Sequence, residues 1–315
     1  MTTSTARHPG LRRPAASRGS WMLRALALGA LPFLASCSRG GVIDPRGPIA
    51  AAEWLLLINA TEIMLVVVVP VILATLGIAW WYRSSNKRAN HDPHFAYEGS
   101  IEFVTWSIPA LVVILLGGVT WISSHQLDPR APIASDAKPL RVDVVSLDWK
   151  WLFIYPDQRI ATVNQLVIPA GTPVSFRLTS ATVMNAFFVP QLGSQIYTMT
   201  GMATQLNLLA DKPGEYPGLS TNFSGAGFAD MRFITTAVPQ GDFAGWVAKV
   251  QSQGSALDDA GYAQLTKPSS AVPPTTYRTV DPNLFGRIVD QTALDPDKAR
   301  AGNAWCPPAK EPAGG

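Results

Sequence analysis

Cysteine and histidine are scarce in this chain of 315 residues, two of the one and four of the other. So few soft or borderline ligands exclude a disulfide scaffold and a zinc ribbon, and they narrow the ways in which the chain could hold an ordinary catalytic metal. Charge is sparse too: 15% of residues are charged against 47% hydrophobic, and the mean hydropathy is +0.14. That balance rules out a disordered or purely solvating polymer and directs attention to membrane segments. Acids are missing altogether from residues 1–36, which carry five arginines; without those arginines the formal charge falls from +3 to −2. The basic balance, with a pI near 8.9, therefore belongs to one N-terminal segment, and nothing else supports nucleic-acid binding. No internal repeat is visible, and the length accommodates about two domains.

In that segment Arg7, Arg12, Arg13, Arg18 and Arg24 precede an apolar stretch from Ala25 to Ala35, the charge-then-hydrophobe order of a secretory signal. Its eleven residues are too few to span a bilayer as a helix. Leu34-Ala35-Ser36-Cys37 closes the stretch and resembles the lipobox of bacterial lipoproteins, in which the cysteine is acylated and becomes the new N-terminus. An incidental cysteine is the alternative, but its place at the end of the apolar core favours processing. Residues 1–36 are thus expected to be a lipoprotein signal peptide, Cys37 the point of lipid attachment, and 37–62 a periplasmic segment. Arg12-Arg13 lacks the apolar sequel of a twin-arginine signal.

Ile63 to Tyr82 and Phe103 to Ser124 are runs of twenty and twenty-two residues without a formal charge, each sufficient for the hydrocarbon core at helical rise. They are expected to be two transmembrane helices, 63–82 and 103–124. Pro70 and Pro109 would break soluble helices but are tolerated in a membrane bundle, and Trp80, Trp81, Tyr82, Trp106 and Trp121 lie toward the segment ends, where amphipathic rings settle. Arg83, Lys87 and Arg88 follow the first span closely, so the positive-inside rule assigns loop 83–102 to the cytoplasm and both flanks to the periplasm. The expected location is a bacterial inner membrane, multi-pass, with both termini periplasmic.

After a linker at 125–138 the composition changes to short β-type runs punctuated by Gly and Pro. Leu140, Val142 and Val144 alternate with other residues, as do Val174, Phe176 and Leu178, and turn clusters recur at 169–173, 211–218 and 224–227. Residues 139–239 are expected to form one antiparallel β-sandwich. Phe243, Trp246, Val247 and Val250 then follow the i, i+3, i+4, i+7 stripe of an amphipathic helix. A second short helix is expected to begin near Ser255, with Asp258 in its first turn and apolar contacts from Leu257, Tyr262 and Leu265. The region 240–290 reads as a helical extension, its stretch 268–282 as extended and poorly packed, and 291–315 as a disordered tail. The fold class is therefore membrane α plus β: two transmembrane helices, a cupredoxin-like sandwich and short C-terminal helices.

Several strings carry a resemblance: DWKWLFIYP from Asp148, VMNAFFVP from Val183, LGSQIYTMTGM from Leu192 and STNFSGAGFADMRF from Ser220. Together with the paired helices they resemble subunit II of the haem-copper oxidases over residues 37–290, in the copper-less quinol branch typified by the cytochrome bo-type ubiquinol oxidases. In the cytochrome c branch this domain holds two copper ions on a cysteine, glutamate, cysteine, histidine and methionine at offsets 0, 2, 4, 8 and 11, plus an upstream histidine. On this chain those positions are Ser220, Asn222, Ser224, Phe228 and Met231, with Asn185 upstream, so only the methionine is kept. No histidine follows His125 and no cysteine lies between Cys37 and Cys306, which leaves the sandwich without the thiolate and imidazole ligands that blue-copper and dinuclear sites require. Met231 is expected in core packing.

The resemblance implies a subunit without its own redox centre or metal, in a proton-pumping ubiquinol oxidase that reduces oxygen to water. Haems, one copper and the quinol site are implied for partner subunit I; smaller membrane subunits and membrane lipid complete the partners. It also places Glu102, at the cytoplasmic start of the second helix, at the mouth of a proton pathway, although an acid at a helix end also reaches interfacial water at little cost. Glu62 has the mirror position, and interfacial solvation suffices for it. Trp149 and Trp151 match aromatic positions that admit electrons in the copper branch; without copper, packing or subunit contact is the simpler role. His91 and His94 read as solvated loop residues, and Cys306 as an unassigned thiol. The alternative from another class is a lipid-anchored degenerate cupredoxin acting as an assembly or binding module.

Overall fold

The computed structural model describes residues 41–90 and 92–294. The signal segment, Cys37, His91 and Cys306 lie outside the described residues. Among the described residues two helices come first, α1 from Pro48 to Trp81 and α2 from Gly99 to Gln126. Each contains an 18-residue window of high mean hydropathy, 2.7 and 2.0, and both are long and apolar enough to cross a membrane. Helix α1 starts well before the charge-free run at Ile63. Its start is favoured by Pro48, whose missing N–H costs nothing in a first turn, and it carries Glu53 within an otherwise apolar stretch.

The remainder is a two-sheet sandwich. Ten strands come first: β1 Leu140–Leu147, β2 Lys150–Tyr155, β3 Ile160–Val163, β4 Gln165–Pro169, β5 Val174–Ser180, β6 Asn185–Phe188, β7 Ile196–Thr198, β8 Thr204–Leu208, β9 Gly214–Ser220 and β10 Arg232–Val238. Helix α3 Gln240–Gln253, strand β11 Ser255–Leu257, helix α4 Asp259–Leu265, strand β12 Thr275–Val280 and helix α5 Leu284–Val289 follow. One sheet runs β11-β12-β3-β2-β1-β5-β8 and the other β4-β10-β9-β6-β7.

Three expectations are corrected here. The sandwich is mixed, because β1 pairs with β5, β4 with β10 and β11 with β12 in parallel. The extension beyond residue 240 is not purely helical. Ser255 opens a strand, and the helix after it begins at Asp259, where the Asp258 carboxylate accepts the Gly261 N–H at 2.8 Å. The stretch 268–282 is extended and largely exposed, but it is not unpaired: β12 pairs antiparallel with β3 through Thr275–Tyr277 and extends the larger sheet. A local pattern search cannot find such pairing, because β12 acquires its partner more than a hundred residues away.

The same arm explains a pattern that alternation misses. All six residues of β2 are buried. Trp151, Phe153 and Tyr155 point into the space between the sheets, among Val142, Val144, Phe176 and Phe187, while Leu152 and Ile154 point outward and are covered by Tyr262, Val280, Leu284, Phe285 and Ile288. A strand buried on both faces reads as a continuous apolar run. Polar pins fasten the arm as well. Arg177 donates twice, at 2.7 Å, to the Asp143 carboxylate, which is 1% exposed, and its guanidinium lies 4.8 Å over the Phe285 ring. The Lys150 ammonium, also buried, donates to Ser269 Oγ at 2.6 Å and to the Lys267 carbonyl at 2.9 Å. Burial holds its pKa below the ordinary lysine value.

Candidate functional site

The positions at which the resemblance expects metal ligands converge at one end of the sandwich. Asn185 opens β6 and Ser220 closes β9; the two strands pair, and the Ser220 hydroxyl donates to Asn185 Oδ1 at 3.1 Å. Asn222 turns away, its Nδ2 donating to the Met184 carbonyl at 3.0 Å. The Ser224 hydroxyl lies 3.9 Å from Met231 Sδ, a weak contact. Phe228 begins a single 3₁₀ turn and packs edge-on against Phe223 with ring centroids 5.6 Å apart. Met231 is 1% exposed and belongs to the core among Trp151, Phe187 and Phe233.

This cluster offers two hydroxyls, two amides, one thioether and a phenyl ring. The hydroxyl and amide groups are neutral, already paired with protein partners, and poor ligands for copper, so the residues present do not fit a dinuclear copper centre. Among the described residues no group of three or more His, Cys, Asp or Glu comes together anywhere.

The aromatic interior beneath the cluster is continuous. Trp151 meets Phe187 and Phe233 edge-on at 5.5 and 5.7 Å, and Phe187 stacks on Phe233 at 5.1 Å. The Trp151 indole N–H is buried among these side chains with no hydrogen-bond acceptor. Trp149, by contrast, is half-buried at the tip, and its Nε1–H donates to the Ser224 carbonyl at 3.0 Å.

At the other candidate position, Glu102 lies in the first turn of α2, where its backbone N–H bonds the Glu98 carbonyl at 3.1 Å; the residue is partly exposed. Glu62 is exposed on α1, and His94 is exposed in the connecting loop. The two candidate regions, the sandwich tip and Glu102, are not brought together. Sequence reasoning missed Glu53, whose carboxylate accepts the Ser194 hydroxyl and so joins α1 to the sandwich. Arg46 N–H to the Gln191 carbonyl, at 2.7 Å, adds to that junction. A lone acid in an apolar helical run was the available signal.

Two membrane-length helices and a cupredoxin-like sandwich whose tip offers the Met231 thioether but neither thiolate nor imidazole have the architecture of an oxidase-type subunit II. The family "Cytochrome C oxidase subunit II, periplasmic domain" matches residues 135–238, and "COX Aromatic Rich Motif" matches 251–293, the arm described above. The chain is 49% identical over 267 residues to cytochrome bo(3) ubiquinol oxidase subunit 2 of Pseudomonas putida, covering 84% of this chain and 85% of that protein. It is 47% identical to the protein of the same name from Pseudomonas aeruginosa, over 85% of this chain and 80% of that one. Identity to ubiquinol oxidase subunit 2 of Acetobacter aceti is 48%, over 82% and 84% of the two chains. The chain belongs to the ubiquinol oxidase subunit 2 family.

Proposed function

We propose that this chain serves a proton-pumping ubiquinol oxidase as a subunit that carries no redox centre. The observation behind this reading is the chemistry of the sandwich tip, where Asn185, Ser220, Asn222 and Ser224 bond to protein atoms and offer neither thiolate nor imidazole. Electrons then reach the complex from a lipid-soluble donor within the membrane, and the haems and remaining copper belong to subunit I. Helices α1 and α2 pack on that partner, and the sandwich covers its periplasmic side together with smaller subunits. The Arg83, Lys87 and Arg88 cluster supports a cytoplasmic connecting loop, and the order of charges and apolar residues before Cys37 supports export, lipid attachment there and an inner-membrane location with periplasmic termini.

Glu102 is proposed to help admit protons. Its position at the start of α2, beside an uncharged span, supports this, and hydration at the helix end keeps an ionisable group affordable there. The test is ubiquinol-supported oxygen uptake by membranes with and without this gene product. Loss of uptake on deletion, restored by the gene, and co-purification with a haem-bearing subunit in fixed ratio are the expected results. Uptake unchanged by deletion, or isolation of the chain alone after gentle solubilisation, would overturn the proposal.

A further inference from the structure

Leu147 pairs with Lys150, so β1 and β2 are joined by a turn of two residues, Asp148 and Trp149. Trp149 takes the left-handed conformation there, at φ 65°. Glycine or asparagine adopts it readily, whereas a bulky aromatic at this place is a strained exception that surrounding contacts must hold.

The loop between β9 and β10 supplies contacts to the indole, while the neighbouring Asp148 is tied to Thr182 and Ser269. The indole Nε1–H donates to the Ser224 carbonyl at 3.0 Å, across 75 residues of sequence. Gly227 lies directly against the ring, where a Cβ would come within 2.4 Å of an indole carbon. Gly225, at φ 109°, faces the same ring, with its would-be Cβ at 3.3 Å. The loop thus closes on the indole with bare backbone; its start is fastened by Ser220 to Asn185 and by Asn222 to Met184, and its two ends meet where the Ser220 N–H donates to the Met231 carbonyl at 3.1 Å.

We infer that Trp149 sets the shape of the 220–231 loop from within, so that the loop is formed without a metal. The indole and a net of hydroxyl and amide bonds do the holding that thiolates and imidazoles would do around copper. The loop then presents Phe223, 76% exposed, in a fixed position against Phe228. This inference concerns the loop alone and does not rest on the proposed oxidase role.

The test is hydrogen exchange, read by mass spectrometry on the full-length chain purified in detergent, in peptides covering 220–231 and, as internal control, 150–155. In the unaltered chain a strong copper chelator and added copper(II) should both leave loop exchange unchanged. Trp149→Phe keeps a ring but loses the donor, and should speed exchange in the loop about five- to tenfold, the effect of one hydrogen bond. Gly227→Ala, which pushes a methyl into the indole, should speed it at least as much, and the control peptide should not move in either variant. Loop exchange at the unaltered rate in both variants would overturn the inference. So would acceleration by the chelator alone, or an equal rise in both peptides for Trp149→Phe, which would place the role of Trp149 in the sandwich and not in the loop.

Discussion

Replacing Tyr155 by Phe removes one oxygen and should cost the domain about 2–4 kcal/mol. Strand β4 is an edge of the smaller sheet, and on its open side the backbone of Val167 has no neighbouring strand. Tyr155, on β2 of the opposite sheet, fills that place: its hydroxyl accepts the Val167 N–H at 2.9 Å and donates to the Val167 carbonyl at 3.0 Å. Both residues are buried, Tyr155 at 0% and Val167 at 2% exposure, so water does not replace the lost oxygen. Orphaning a buried donor or acceptor costs about 1–3 kcal/mol, and two groups in the lower part of that range, at about 1–2 kcal/mol each, give the total above. Urea unfolding of the purified chain, followed by tryptophan fluorescence, should show a midpoint lowered by about 1–2 M at an m-value of about 2 kcal/mol/M. The pH profile adds a signed check. Burial raises the phenol pKa of Tyr155 above its ordinary value near 10, so the folded state keeps the proton that the unfolded chain releases. Stability should therefore hold below pH 10 and fall as pH rises beyond it, and Tyr155→Phe should make that fall shallower. A variant with an unchanged urea midpoint and an unchanged alkaline slope would refute the reasoning.

Glu102→Ala should slow turnover of the purified oxidase while leaving subunit content and quinol affinity nearly intact; unchanged turnover removes the proton role. Thr235 is fully buried with its hydroxyl unpaired, so Thr235→Val should raise stability by about 1 kcal/mol in the same urea titration. Lys150→Met strips donors from the Lys267 carbonyl and Ser269 and should loosen the arm by about 1–3 kcal/mol, read as faster proteolysis within 266–272. The Arg287 guanidinium, hydrogen-bonded to Asp259, holds that carboxyl below its ordinary range. Its contribution is present above about pH 4 and lost as pH falls further; Asp259 is largely exposed, so the effect is small, and the arm's protection against amide exchange, corrected for the intrinsic pH dependence of exchange, should fall slightly in acid, a dependence that Asp259→Asn should remove.

Periodicity exposed what depends on neighbours a few residues apart. Helix α3 follows from Phe243, Trp246, Val247 and Val250, and the apolar helices from their long charge-free runs. What stayed hidden depends on distant partners. Leu152 and Ile154 could not announce an outer layer without knowledge of Tyr262, Phe285 and Ile288, and Thr275–Val280 gave no sign of joining β3. At the sandwich tip the residue types could be read from the sequence, and with them the lack of copper ligands. Their pairing could not: Trp149 with Ser224 and Asn185 with Ser220 are set by tertiary closure, and the left-handed backbone at a tryptophan contradicts local preference. Glu53 was overlooked because its partner, Ser194, lies in a loop of the sandwich.

The most direct measurement is metal analysis combined with electron paramagnetic resonance on this chain purified away from its partners. Copper well below one atom per chain, with no copper signal even after incubation with copper(II) and dialysis, is the predicted result. One or two tightly held copper ions per chain, with the spectrum of a thiolate or imidazole site, would contradict the account.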